Sequence, residues 1–317
     1  MTMGAFLGSI ELGMIYAILA LGVFLSFRTL NMPDLTVDGS VVTGAAISAM
    51  ICSNGGNPLL ALGAAFLGGT CAGVITALLN TKLRIQALLA GILVMLGLYS
   101  INLKIMGNKS NIALMTDDTI YSKAEEIFPA EYSAIILGAV VLAAVTVVFY
   151  LFLQTRVGFA LRATGDNEDM VRAAGISSDN MKLLGMGLSN GFIGLAGGML
   201  AQYQSFADVT MGTGMVVIGL ASVIIGEVIF GTKTLPRRLV AVSLGAILYR
   251  VIIAIALSAG MPANDLKLVS AIIVTVALAL GLLGENFSIG SLFKKKPEVR
   301  VNAEASTNSG KVGDINA

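Results

Sequence analysis

The chain has 317 residues, 56% hydrophobic and only 12% charged, with a formal net charge of +1 and no histidine. A soluble domain carries about 25% charged residues, so this balance, with 37 glycines and 15 methionines, points to a polytopic membrane protein. The near-neutral charge excludes bulk attraction to nucleic acid, and the missing histidine removes the commonest general base and metal ligand.

Apolar runs near the ~20 residues needed to cross a bilayer fall at 4–27, 58–80, 85–105, 133–153, 183–204, 213–230, 238–258 and 265–284. The first has no basic residue before Arg28, so it reads as a retained span and not a signal peptide. The run 36–52 is shorter and glycine-rich, either a span or a broken, partly re-entrant element. Counting it predicts an all-α polytopic membrane protein of about nine spans, with a membrane domain over 1–286. Cys52 and Cys71 lie in or beside apolar runs and read as small packing residues. After Glu285 the composition turns polar, predicting a disordered cytoplasmic tail over 287–317.

Loop charges set an orientation. If Arg156–Lys182 is cytoplasmic, the same side receives Arg28, Lys82, Arg84, Lys233, Arg237, Arg238 and Lys294–Lys296. The other side keeps Lys104, Lys109, Lys123 and Lys267, with an acidic outer loop over 107–132. The N-terminus is then outside and the C-terminus inside. In this frame Asp34-Leu35-Thr36-Val37, on the cytoplasmic side, recurs as Asp208-Val209-Thr210-Met211 on the outer side. Such an inverted repeat is one way of building an alternating-access transporter, although apolar segments also resemble one another by chance.

Three ionisable residues fall within spans, and charge there defaults to a functional hypothesis. Glu227 sits near a cytoplasmic end and reads as a snorkelling side chain. Glu11 lies about 10 Å below the outer face and Arg250 roughly 17 Å above the inner one, so their depths nearly match across a core of about 30 Å. They form an ion pair between the first and eighth spans, or each lines a hydrated pathway alone. Asn190 and Gln202 are either pathway-lining groups or interhelical hydrogen-bond partners, the latter being the simpler assignment.

The charge-dense stretch 156–182 predicts a short docking helix. Asp166 offers an N-cap, Asp169 the acidic half of a capping box, and Glu168 and Asp169 favour the positive helix start. Arg172 suits the last turn and Gly175 the stop, leaving a Met170, Val171 and Ala174 side to press on another protein. The composition also fits an ordinary solvated loop. No chemical machinery accompanies it. Residues 226–234 miss P-loop spacing, Gly185, Gly187 and Gly191 miss dinucleotide spacing, and no catalytic set or metal cluster appears.

Residues Arg162-Ala163-Thr164-Gly165-Asp166-Asn167-Glu168, with Ala173-Ala174-Gly175-Ile176, resemble the coupling-helix segment of ABC importer permeases of the branched-chain amino acid type. Leu12–Gly22 with Asp34-Leu35-Thr36-Val37-Asp38-Gly39, and Gly219–Gly226, are similar to two further segments of that family in the same order. The Pro33–Gly39 stretch matches a less characterised branch often assigned aromatic amino acids. The resemblance implies a transport subunit without enzymatic activity or cofactor of its own. It also implies a second permease copy, two cytoplasmic ATPases that bind ATP and Mg, and an extracytoplasmic solute-binding protein. The coupling residues would be Arg162, Gly165, Asp166, Asn167, Glu168, Asp169, Met170, Arg172, Ala174 and Gly175. A sugar or nucleoside solute, or a self-sufficient secondary transporter, remains as the alternative.

Overall fold

The computed structural model describes residues 3–115, 117–129, 132–260, 268–276 and 279. The predicted tail, Lys267, Glu131 and half of the run 265–284 lie outside the described residues. Helix α1 spans Met3–Val23 and continues through a π-helical turn, Phe24–Thr29. Next come α2 (Thr36–Ser53), α3 (Pro58–Thr81), α4 (Ala87–Ile105), strand β1 (Asn111–Ala113) and α5 (Ile120–Ile127). The second half holds α6 (Ser133–Gln154), α7 (Arg156–Asp166), α8 (Glu168–Ala173), α9 (Ser178–Gln204), strand β2 (Phe206–Asp208), α10 (Met215–Phe230) and α11 (Leu235–Ser258).

Seven helices are long and apolar enough to cross a membrane: α1 with its π turn, α2, α3, α4, α6, α9 and α11. The predicted nine is therefore not reached among the described residues. The run 213–230 forms only the shorter α10, and 265–284 is described only in part. The ambiguous run 36–52 is a continuous helix. Helix α10 starts late because the loop before it enters the bundle, where a Cβ on Gly212 would overlap the Asp38 carbonyl oxygen.

Helices α1, α2 and α9 form the buried centre. Glycine makes this possible. A Cβ on Gly44 would overlap the Gly194 carbonyl, so α2 and α9 cross nearly backbone to backbone. The outer faces of α3, α4 and α6 expose Leu60, Leu67, Leu96, Val147 and Leu151, as expected of surfaces solvated by lipid. At one end β1 and β2 pair antiparallel, Asn111 opposite Asp208, joining the ends of α4 and α9.

The central polar groups are satisfied within the protein. Asn190 on α9 donates to Asp34 Oδ2 at 2.7 Å and accepts from Ser40 at 2.7 Å. Asp34 also accepts the Thr36 backbone N–H at 2.8 Å and is wholly buried. Its partner Asn190 lies 12 residues beyond the start of α9 at Ser178, about 18 Å along the helix at 1.5 Å per residue. Gln202 accepts the Ile120 N–H at 2.7 Å and donates to Ser48 and to the Pro58 carbonyl. Both amides are interhelical hydrogen-bond partners in this conformation.

Candidate functional site

At the end of the bundle opposite the β1–β2 pair, α7 and α8 form a two-helix elbow between α6 and α9. Thr155 caps α7, accepting the Gly158 N–H at 3.1 Å. The chain then breaks at Asn167, whose extended backbone ends α7 and whose side chain caps α8 by accepting the Met170 N–H at 3.0 Å. The cap is therefore Asn167, correcting the predicted Asp166, which is the last residue of α7. Asp169 consequently falls one place short of the capping-box position. Glu168 and Asp169 still occupy the first turn and Arg172 the last. Gly175 supplies the stop, with φ +79°. Its N–H reaches the Arg172 carbonyl and that of Ile176 reaches the Val171 carbonyl, the paired bonds of a Schellman motif.

A charged clamp fixes α8 to the first turns of α9. Glu168 accepts from Lys182 at 2.6 Å, Arg172 at 2.7 Å and Ser178 at 3.0 Å. Arg172 also donates to Ser178 and reaches Asp179 at 3.3 Å. The hydrogen bond from Lys182 holds the Glu168 carboxyl below the usual glutamate range, helped by Ser178 and Arg172 and opposed by partial burial. The i, i+4 pair Glu168–Arg172 was legible from spacing, whereas Lys182 enters only through the turn of the chain.

The exposed face of the elbow is apolar. Phe159 is 66% exposed and Met170 60%, with Ile176 and Ala174 beside them. Val171, expected on this face, is buried against the bundle. A six-residue helix starting at Glu168 turns Val171 to the same side as the clamp, leaving Met170 outward. Gly165 has a separate task. A Cβ there would overlap the Thr29 carbonyl, so α7 rests directly on the end of the first span.

From Thr29 contact continues to a buried carboxylate that the sequence placed at the surface. Glu227 is 7% exposed and does not snorkel. It accepts from Arg28 Nε at 2.8 Å and from Arg238 Nε at 2.7 Å, joining the π turn after α1 to α10 and α11. Two arginines near one buried acid was the available signal, but their convergence depends on helix packing.

Glu11 and Arg250 join none of the ion pairs among the described residues. Helices α1 and α11 touch, since a Cβ on Gly13 would lie 2.9 Å from Ile247 Cα, but the two charges take different partners. Glu11 accepts the Tyr203 hydroxyl at 2.7 Å and lines an open cavity of about 500 Å3 with Asp117, Glu125 and Gln202. Arg250 lies over the Tyr16 ring, 4.9 Å from its centroid, with its Nε buried and lacking an acceptor. A cation–π contact replaces the predicted salt bridge.

Membrane-length helices packed on glycine, with a clamped elbow presenting an apolar face at one end, define a polytopic membrane protein. Residues 5–281 match the family described as branched-chain amino acid transport system, permease component, and the chain belongs to that family of ABC transporter permeases. It is 41% identical over 270 residues to the tyrosine transport system permease protein of Clostridioides difficile (strain R20291), covering 85% of this chain and 89% of that one. It is 32% identical over 281 residues to an uncharacterised protein of Rickettsia prowazekii, covering 87% and 98%. Over 219 residues it is 29% identical to the ribose import permease protein of Escherichia coli (strain K12), covering 66% and 65%. No solved structure matches the chain. The protein is an integral, multi-pass component of the cell membrane.

Proposed function

We propose that this chain is the membrane-spanning subunit of an ABC importer that brings an aromatic amino acid into the cell by alternating access. The observation that carries this reading is the elbow: Phe159 and Met170 are exposed and free to meet a partner, while Gly165 seats α7 on Thr29 and the clamp ties α8 to α9. Force applied to α8 therefore reaches two central spans through short, stiff contacts. The partner would be a cytoplasmic ATPase holding ATP and Mg, while an extracytoplasmic binding protein delivers solute to a permease homodimer. Nucleotide-driven closure of the ATPases must favour one arrangement of the spans over the other for transport to follow.

Two features support the orientation and the repeat. Arg28, Arg238, Lys233 and the elbow gather at one end of the bundle, as a cytoplasmic face requires. Asp34 and Asp208 make the same local turn, each accepting the N–H two residues on, Thr36 at 2.8 Å and Thr210 at 2.7 Å. The first turn precedes α2 and the second precedes α10. The aromatic solute follows the relative named for tyrosine transport, and the relative named for ribose import favours a sugar as the second reading.

Reconstitution with the cognate ATPase and binding protein tests both. ATP-dependent accumulation of labelled tyrosine, absent without the binding protein, is the expected result. Uptake of ribose alone would select the second reading. Solute flux from this chain by itself, indifferent to ATP, would overturn the importer assignment.

A further inference from the structure

Between the elbow and the turn joining α10 to α11 lies a cleft of about 430 Å3, with Phe159 and Met170 on its elbow side. Four cations line it: Arg28, Arg162, Lys233 and Arg238. Two carboxylates answer them. Glu227 engages Arg28 and Arg238, and Asp166 stands exposed on the rim. Arg162 and Lys233 join none of the ion pairs among the described residues, so four cations against two acids leave two positive charges unanswered. Arg162 Nε is buried without an acceptor.

The guanidiniums are held in place. The Arg162 guanidinium lies 5.5 Å from the Phe159 ring centroid and that of Arg238 lies 5.2 Å from the Phe24 centroid. Thr234, at the N-cap of α11, makes no side-chain capping bond, so its hydroxyl remains to donate into the cleft. Fixed guanidiniums, a lysine and a hydroxyl around a double positive excess match a tetrahedral oxyanion, whose several oxygens accept from forked donors at once. A singly charged halide would satisfy neither the charge nor the donor geometry.

We propose that this cleft binds a phosphate-class anion, either the headgroup of an acidic phospholipid or free phosphate, which ties the elbow to the α10–α11 turn. Binding is measurable on the isolated chain, so the test does not depend on what the transporter carries. Full-length protein, purified in detergent and stripped of lipid, would be titrated with phosphatidylglycerol against phosphatidylcholine by native mass spectrometry. Calorimetry would compare inorganic phosphate with chloride at matched ionic strength. Arg162→Gln and Lys233→Gln each remove one of the two cations that join no ion pair among the described residues, and Lys233 is exposed. Each should weaken binding about tenfold, the scale of one charge-assisted hydrogen bond. Binding of phosphate without lipid identifies the free anion; selective binding of phosphatidylglycerol alone identifies the headgroup. Neither probe exceeding its control, or Lys233→Gln and Arg162→Gln both binding like the parent, overturns the proposal.

Discussion

Gly165 of the elbow touches the Thr29 carbonyl at the end of the first span so closely that no side chain fits between them. One residue before Thr29 in the chain, Arg28 grips the buried Glu227. These contacts link α7 to α1, α10 and α11 within a few residues.

Gly165→Val should break this contact. Overpacking of a tight site costs about 1–3 kcal/mol, and here the least costly relief is to lift α7 off the span. The expected result is a correctly inserted protein whose assembly hydrolyses ATP without solute-stimulated transport. Gly165→Ala should show the same defect more weakly. Parental coupling in both variants would remove Gly165 from the route.

Gly175→Val addresses the other end of α8. The site has open space around it but φ +79°, so the penalty is conformational, about 1–2 kcal/mol for a residue with a Cβ. The Schellman closure loosens and Ile176 is misdirected. Transport per ATP hydrolysed should fall while expression is largely maintained, which paired uptake and ATPase assays would detect.

Glu227→Gln leaves Arg28 and Arg238 facing a neutral amide. Removing one partner of a fully buried pair costs about 3–5 kcal/mol. Both arginines reach solvent, with side chains 53% and 30% exposed, so a loss of about 2 kcal/mol is expected once screening is included. Thermal unfolding in detergent should show a clearly lowered Tm. An unchanged Tm would make the network a surface feature.

The clamp at Glu168 predicts a pH dependence. Its folded carboxyl titrates below the ordinary glutamate value, chiefly through the Lys182 hydrogen bond. Its contribution is therefore complete above that ordinary value and disappears as pH falls through the depressed one. Hydrogen exchange of the α8 amides, corrected for intrinsic rate, should lose protection over that acidic window. Glu168→Gln should lower protection at neutral pH and flatten the profile.

Orientation is open to direct labelling. In a background lacking Cys52 and Cys71, Leu83→Cys and Glu126→Cys place thiols at two exposed positions. An impermeant maleimide applied to intact cells should modify position 126 and spare position 83. The reverse pattern would invert the proposed topology.

The sequence alone made much of this molecule legible, because lipid imposes simple rules on a chain. Each backbone group must be satisfied within its own helix, so a long apolar run such as 133–153 has one available structure, and α6 takes it. The elbow was visible for a similar reason, since charge and Gly175 cannot be absorbed into a span. What the sequence could not supply was where polar side chains meet. Asn167 displaced Asp166 as the cap because α7 runs on to residue 166, a boundary set by its packing at Gly165 on Thr29. Glu11 found Tyr203 and Arg250 found Tyr16, where matched depth had suggested each other; depth counts residues along an axis and says nothing of rotation about it. Asp34 reads as a loop residue by its neighbours Pro33 and Asn31, yet it is buried on Asn190, 156 positions away. Glu227 was placed at the surface by its nearness to a span's end, and tertiary structure buried it by converging two arginines from separate helices. Hydrophobic length is a local property and survives in one dimension, whereas the partner of a buried charge is chosen by helix rotation and close glycine packing, which only the folded bundle determines.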